Sequence, residues 1–135
     1  MKVVVDTNVF VSSFFGGNPR KIIDLWKSSF LSLCLSPEIL EEYFEVLRRM
    51  GLEDESDFKE LLDLFPRAPN VLFTLKTPEV RAVPGDPDDD KFIACAIALG
   101  AEIIVTGDKA LEAVRSYKNI RIMNPARFLG EFKPK

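Results

Sequence analysis

Short apolar runs alternate with stretches of helical periodicity along this 135-residue chain, and that alternation leaves few folds open to it. Strands are expected over 2–5, 30–35, 103–106 and 120–123, with a shorter extended segment over 70–75. Helices are expected over 20–28, where Ile22, Ile23, Leu25 and Trp26 are the apolar positions, and over 37–50, 55–64, 89–99, 108–117 and 125–132. The punctuation agrees with this division. Gly16-Gly17-Asn18-Pro19 breaks the chain ahead of the first helix. Ser36-Pro37-Glu38 is a helix start, with a serine cap, a proline in the first turn and an acid near the positive end of the dipole. Gly51, Pro66 and Gly100 close three helices, and the proline-rich stretch 77–87 reads as a loop. Strands alternating with helices imply right-handed crossovers, hence an α/β fold with a central, mainly parallel sheet and helices on both faces. Such sheets bind ligands beyond the carboxyl ends of their strands.

Composition narrows the class further. At 47% hydrophobic, with eleven phenylalanines, the chain is the size of one ordinary domain, 1–135, and buries enough apolar surface to fold without staples. Cys34 and Cys95 lie in apolar surroundings and read as buried thiols rather than a disulfide framework. Asp6 and Asn8 interrupt the N-terminal apolar run before it reaches signal-peptide length, and no stretch reaches the roughly 18 apolar residues of a membrane span. A cytoplasmic location with no membrane contact is expected. The net charge of −3 lacks the basic footprint usual for nucleic-acid binding, although Arg20, Lys21, Lys91 and Lys109 fall near the acids considered next.

Four carboxylates stand where the expected elements can aim them at one place. Asp6 ends the run Val3-Val4-Val5, and Asp108 follows the strand over 103–106 through Gly107. Asp89 lies in Asp86-Pro87-Asp88-Asp89-Asp90, four aspartates in five residues, ahead of a helix. Glu42 borders the apolar face formed by Ile39, Leu40, Tyr43, Phe44, Val46, Leu47 and Met50. Each has a plainer reading. Asp6-Thr7-Asn8 makes a turn, Asp108 caps a helix, one aspartate of the 86–90 run suffices as a cap, and most helix glutamates are solvated. Taken together, like charges gathered in a partly dry site repel unless a cation joins them. With no histidine and only oxygen ligands, that cation is hard, Mg²⁺ or Mn²⁺. The chemistry implied is metal-assisted phosphodiester hydrolysis. Among the neighbours of Asp89, both Asp86 and Asp90 remain contenders for its place. An aspartyl-nucleophile phosphatase carries a second aspartate two positions after the first, and Asn8 stands there instead. No Gly-Lys-Ser/Thr phosphate loop is present.

These segments resemble the PIN-domain family of nucleases nearly end to end. Val3-Val4-Val5-Asp6-Thr7-Asn8-Val9 is similar to its opening motif, and 36–43 to the helix bearing its glutamate. Residues 86–96 and Ile104-Val105-Thr106-Gly107-Asp108 are similar to its third and fourth acidic motifs. The resemblance implies a Rossmann-like fold. It assigns Asp6, Glu42, Asp89 and Asp108 to the catalytic metal site, with Asn8 and Thr106 in support; Asp6, Asp89 and Asp108 are expected on the metal itself, and Asp86 and Asp90 are expected to support it. It further implies an RNA substrate, frequent homodimers and, for small members, the toxin of a toxin–antitoxin pair whose antitoxin protein blocks the site. Lys91 and Lys109 are expected to hold a neighbouring phosphate, against the plainer reading of solvated lysines. Two alternatives stay open: a metal-stabilised RNA- or partner-binding module without catalysis, and a DNA-directed nuclease.

Overall fold

The computed structural model describes residues 1–67, 70–83 and 86–132. In chain order its elements are β1 (Lys2–Val5), α1 (Thr7–Ser12), α2 (Gly17–Lys27), β2 (Ser32–Leu35), α3 (Pro37–Arg49) and α4 (Ser56–Leu64). There follow β3 (Val71–Phe73), α5 (Asp90–Leu99), β4 (Ile103–Val105), α6 (Lys109–Glu112), β5 (Ser116–Tyr117), β6 (Ile120–Met123) and α7 (Pro125–Glu131). Short 3₁₀ turns occupy Ser13–Phe15 and Pro87–Asp89. The strands form one sheet in the order β3-β2-β1-β4-β6-β5, parallel throughout except for the short edge strand β5. The α/β expectation holds. Val3, Val4 and Val5 of β1 point to alternating faces and are all fully buried, so the sheet is covered on both sides.

From β1 the chain moves outward to β2 and β3, then returns to place β4 on the opposite side of β1. The winding direction therefore reverses between β1 and β4, and a crevice opens beyond their carboxyl ends. The wall over β1 is aromatic. Phe10 stacks on Tyr43 with ring centroids 4.0 Å apart, and Phe65 bridges Phe10 to Trp26. The buried Tyr43 hydroxyl donates to the carbonyl of Val5, which fixes α3 against the last residue of β1. Cys34 and Cys95 are both buried free thiols, and burial pushes them up to about 11 and about 12.

Several local expectations are corrected. Residues 7–15, to which the sequence reading assigns no element, are helical: Asp6 caps α1, and Val9, Phe10 and Val11 are buried in it. The glycine pair does not stand ahead of the next helix. Gly16, with φ 95°, caps α2, and Pro19 sits within its first turn, where a missing N–H costs nothing. Ser36 occupies the cap position of α3, but its hydroxyl makes no capping bond and lies against the Cys95 thiol. The helix expected over 108–117 is the single turn α6. Arg115 and Lys118 take left-handed φ values of 63° and 54°, which turn the chain back so that β5 pairs antiparallel with β6. The loop expected over 77–87 has no strand or helix at 77–83; 84 and 85 lie outside the described residues.

Candidate metal centre

Asp6 is delivered by β1. Its backbone N–H donates to Val105 at the end of β4 over 2.9 Å, and its Oδ1 accepts from the N–H of Asn8 over 3.4 Å. Thr106, the next residue beyond β4, donates from its hydroxyl to Asp6 Oδ2 over 2.5 Å. The same hydroxyl oxygen accepts from the N–H of Asp108 over 3.0 Å. Asp108 Oδ1 accepts from Ala110 and Leu111 at the start of α6, over 2.8 and 3.2 Å. Both plain readings are therefore satisfied, since Asp6 and Asp108 do cap helices. Capping engages only one oxygen of each carboxylate.

The 86–90 run separates into distinct roles. Asp86 caps the 3₁₀ turn, its Oδ1 accepting from the N–H of Asp88 over 3.2 Å. Asp89 follows three residues later, one full 3₁₀ turn on, and is 8% exposed. One oxygen each from Asp86, Asp89 and Asp108 lie within 4.8 Å of one another. Asp90 points elsewhere: its Oδ1 accepts from the N–H groups of Ala82 and Val83, both over 2.9 Å, and pins the 77–83 loop to α5. Asp88 is exposed.

These acids open on one cleft of about 400 Å³, whose lining includes Asp6, Glu42, Asp86, Asp89, Asp108 and Arg49. Burial raises the Asp6 carboxyl above its ordinary value; the hydrogen bonds from Thr106 and Asn8 oppose this, and Asp108 and Glu42 add repulsion. Burial likewise pushes Asp89 up to about 7, reinforced by the charges of Asp108, Asp6 and Asp86 and eased by Lys91. Asp89 Oδ2 is buried without a hydrogen-bond partner. A buried carboxylate oxygen with no donor is costly, and a hard cation among three converging carboxylates supplies what it lacks. The residues present fit Mg²⁺ or Mn²⁺ as a class, through Asp86, Asp89 and Asp108, with Asp6 on the same cleft.

Glu42 reaches the cleft already engaged on both oxygens. Thr7 donates its hydroxyl to Oε1, and Lys91 pairs with Oε2. Lys91 also lies 3.3 Å from Asp88. Burial alone would lower the Lys91 pKa, but the bond and charge of Glu42, with Asp88, raise it above its ordinary value. The phosphate contact expected of Lys91 thus meets a competing carboxylate. Lys109 is exposed and lines a separate cleft beyond α6. Asn8 is exposed at the rim, and Arg20 lies with Ile23 and Leu61, outside the carboxylate cleft. Two residues escaped the sequence reading. Thr7 was signalled only by its position after the Asp6 cap. Arg49 stands two helical turns after Glu42 on the same side of α3.

The chain belongs to the PIN-domain family, whose pattern matches residues 2–110 and so spans all four acidic segments. It is 34% identical to the uncharacterized protein MJ1680 of Methanocaldococcus jannaschii, over 98% of this chain and 92% of that one. PIN domains are generally nucleases that bind nucleic acid and use divalent metal ions. Among the described residues, no helix is long and apolar enough to cross a membrane.

Proposed function

We propose that this chain is a divalent-metal-dependent endoribonuclease that hydrolyses phosphodiester bonds of single-stranded RNA. The carrying observation is the convergence of Asp86, Asp89 and Asp108 beside Asp6, with Asp89 Oδ2 buried and unpartnered. Asp86, Asp89 and Asp108 would hold the ion, with Asp6 completing the acidic wall. When bound, Mg²⁺ or Mn²⁺ supplies Lewis-acid polarisation of the phosphate and a water acidic enough to attack near neutral pH.

The protein's own groups organise the rest. Thr106 fixes the orientation of Asp6 and ties it to the turn that carries Asp108. Glu42 holds the Lys91 ammonium beside the acids, so the pair lowers the negative field without occupying the triad. Arg49 offers the phosphate a cation on the cleft wall. Of the three acids expected on the metal, Asp89 and Asp108 keep that role in this proposal, and Asp6 stands beside the ion in the wall of the cleft. Glu42 becomes a positioning group, Asp86 joins the ligands, and Asp90 acts on the loop.

RNA as substrate, homodimers and a toxin role opposed by an antitoxin rest on the family resemblance. A cytoplasmic location fits two buried thiols that form no disulfide. The test is cleavage of matched single-stranded RNA and DNA with Mn²⁺, Mg²⁺ or EDTA, by wild type, Asp6→Asn and Asp89→Asn. Metal-dependent cutting of RNA that both folded variants lose is the expected result. Cutting of DNA alone reassigns the substrate, and full activity in both variants overturns the site.

A further inference from the structure

A second open cleft of about 440 Å³ is lined by Lys109, Glu112, Arg115, Ile122 and Arg127. Consecutive residues line the two clefts, Asp108 the carboxylate cleft and Lys109 this one. Its lining carries three cations, Lys109, Arg115 and Arg127, against the single carboxylate of Glu112. Glu112 Oε1 accepts from the Asn124 side chain over 3.1 Å, and Glu131 is taken by Arg121 over 2.8 and 3.1 Å. Arg127 approaches Glu131 only at 3.8 Å. Among the described residues, neither Lys109 nor Arg115 has a carboxylate partner, and both are exposed.

Arg115 also sits where the backbone favours a different residue. It follows α6 with φ 63°, its N–H donating to Glu112 and its carbonyl accepting from Ile122 over 2.8 Å. Glycine or asparagine takes this left-handed position with little strain, whereas a long side chain is strained there. The fold therefore does not need arginine here, and the residue lines a cleft in which cations outnumber carboxylates.

We infer that this cleft is a phosphate-binding track in which Lys109, Arg115 and Arg127 hold the sugar–phosphate backbone of a single nucleic-acid strand running on from the carboxylate site. The inference rests on the nuclease reading for the strand's identity. Positive grooves of this kind follow the backbone without reading sequence and keep a strand in register with the reacting bond. They also give affinity a marked salt dependence. Each phosphate contact on a single strand contributes about 0.7 to the slope of log K against log salt, on the order of fivefold in affinity at roughly 0.1 M salt relative to 1 M.

The test uses fluorescence anisotropy of a labelled single-stranded RNA with the whole chain in EDTA, at several salt concentrations. The proteins are wild type, Lys109→Gln, Arg115→Asn and the double variant, with cleavage under Mn²⁺ measured in parallel. Each single variant is expected to bind on the order of fivefold more weakly, with the double variant's salt slope lower by about 1.4. KM should rise while kcat at saturating RNA stays at the wild-type level. Arg115→Asn should melt at or above the wild-type temperature, so weaker binding cannot be ascribed to misfolding. Cutting and binding by the variants equal to wild type would overturn the track and leave the nuclease standing. Salt-dependent binding that the variants weaken, in a wild type that cuts nothing, would support the track and overturn the nuclease. A folded wild type that binds no RNA overturns both.

Discussion

The Thr106 hydroxyl donates to Asp6 Oδ2 over 2.5 Å, joining the carboxyl ends of two neighbouring parallel strands across 100 residues of sequence. The same oxygen accepts from the N–H of Asp108. One small side chain thus holds two acids of the proposed centre in register. Thr106→Val keeps the shape and removes both bonds. It is expected to weaken Mn²⁺ binding by about 10- to 100-fold, as loss of a group that orients metal ligands usually does, with a parallel drop in cleavage. Thr106→Ser should restore most of it. Calorimetric titration of Mn²⁺ into the three proteins checks this, and wild-type affinity in Thr106→Val would refute it.

Asp89 makes the metal-free protein sensitive to pH. Its carboxyl is pushed from the ordinary 3.8 up to about 7, so the folded chain holds a proton that the unfolded chain releases. Stability from this group is full below about pH 4, declines as pH rises, and is gone above about pH 7. In EDTA the melting temperature should therefore be lower at pH 7.5 than at pH 5.5, and Asp89→Asn should flatten the difference. Mn²⁺ should restore stability at pH 7.5 and bind more weakly at pH 5.5, where it must displace the proton. Melting curves at the two pH values, with and without metal, decide the matter.

Lys91 is a built-in counterion for Glu42, and both side chains are largely covered, at 15% and 27% exposure. Lys91→Met leaves Glu42 facing the aspartates without its partner. A loss of about 1–2 kcal/mol is expected for the metal-free protein, between the values of exposed and fully buried pairs. Metal should recover part of it, so the gain on adding Mn²⁺ should exceed that of wild type. Urea titrations in both states measure the difference.

Asp90 is the contrasting case within the acidic run. Its Oδ1 holds two backbone N–H groups of the 77–83 loop, a bond pattern an amide oxygen reproduces. Asp90→Asn should keep near-normal stability and metal affinity. Asp90→Ala strands both donors and should cost about 1–3 kcal/mol. Loss of metal binding in a stably folded Asp90→Asn would return Asp90 to the ligand set.

The alternation of strands and helices was legible because buried parallel strands are continuous apolar runs, and Val3-Val4-Val5 and Ile103-Ile104-Val105 are such runs. Asp6 and Asp108 could be read as neighbours because parallel strands bring their carboxyl ends to one edge. Helix α1 could not be read. Its buried Val9-Phe10-Val11 has no 3.6-residue spacing to distinguish it from a strand, and the Asp6 cap was the only cue. The shortness of α6 was also hidden, since neither Arg115 nor Lys118 is a residue type that marks a left-handed turn.

Residue types and their order were enough to determine the α/β class, the absence of histidine and hence that any cation held by these acids would be a hard one. Which acids meet was decided only in three dimensions. Asp86, Asp88, Asp89 and Asp90 are chemically identical, and the 3₁₀ turn sorts them, because at three residues per turn Asp86 and Asp89 share a face while Asp90 swings toward the loop. Glu42 likewise borders its helix's apolar face in any reading, but its partner Lys91 comes from another helix 49 residues away. A carboxylate becomes a ligand, a cap or half of an ion pair according to what lies within a few ångströms, and such distances between remote segments are set by packing rather than by local periodicity.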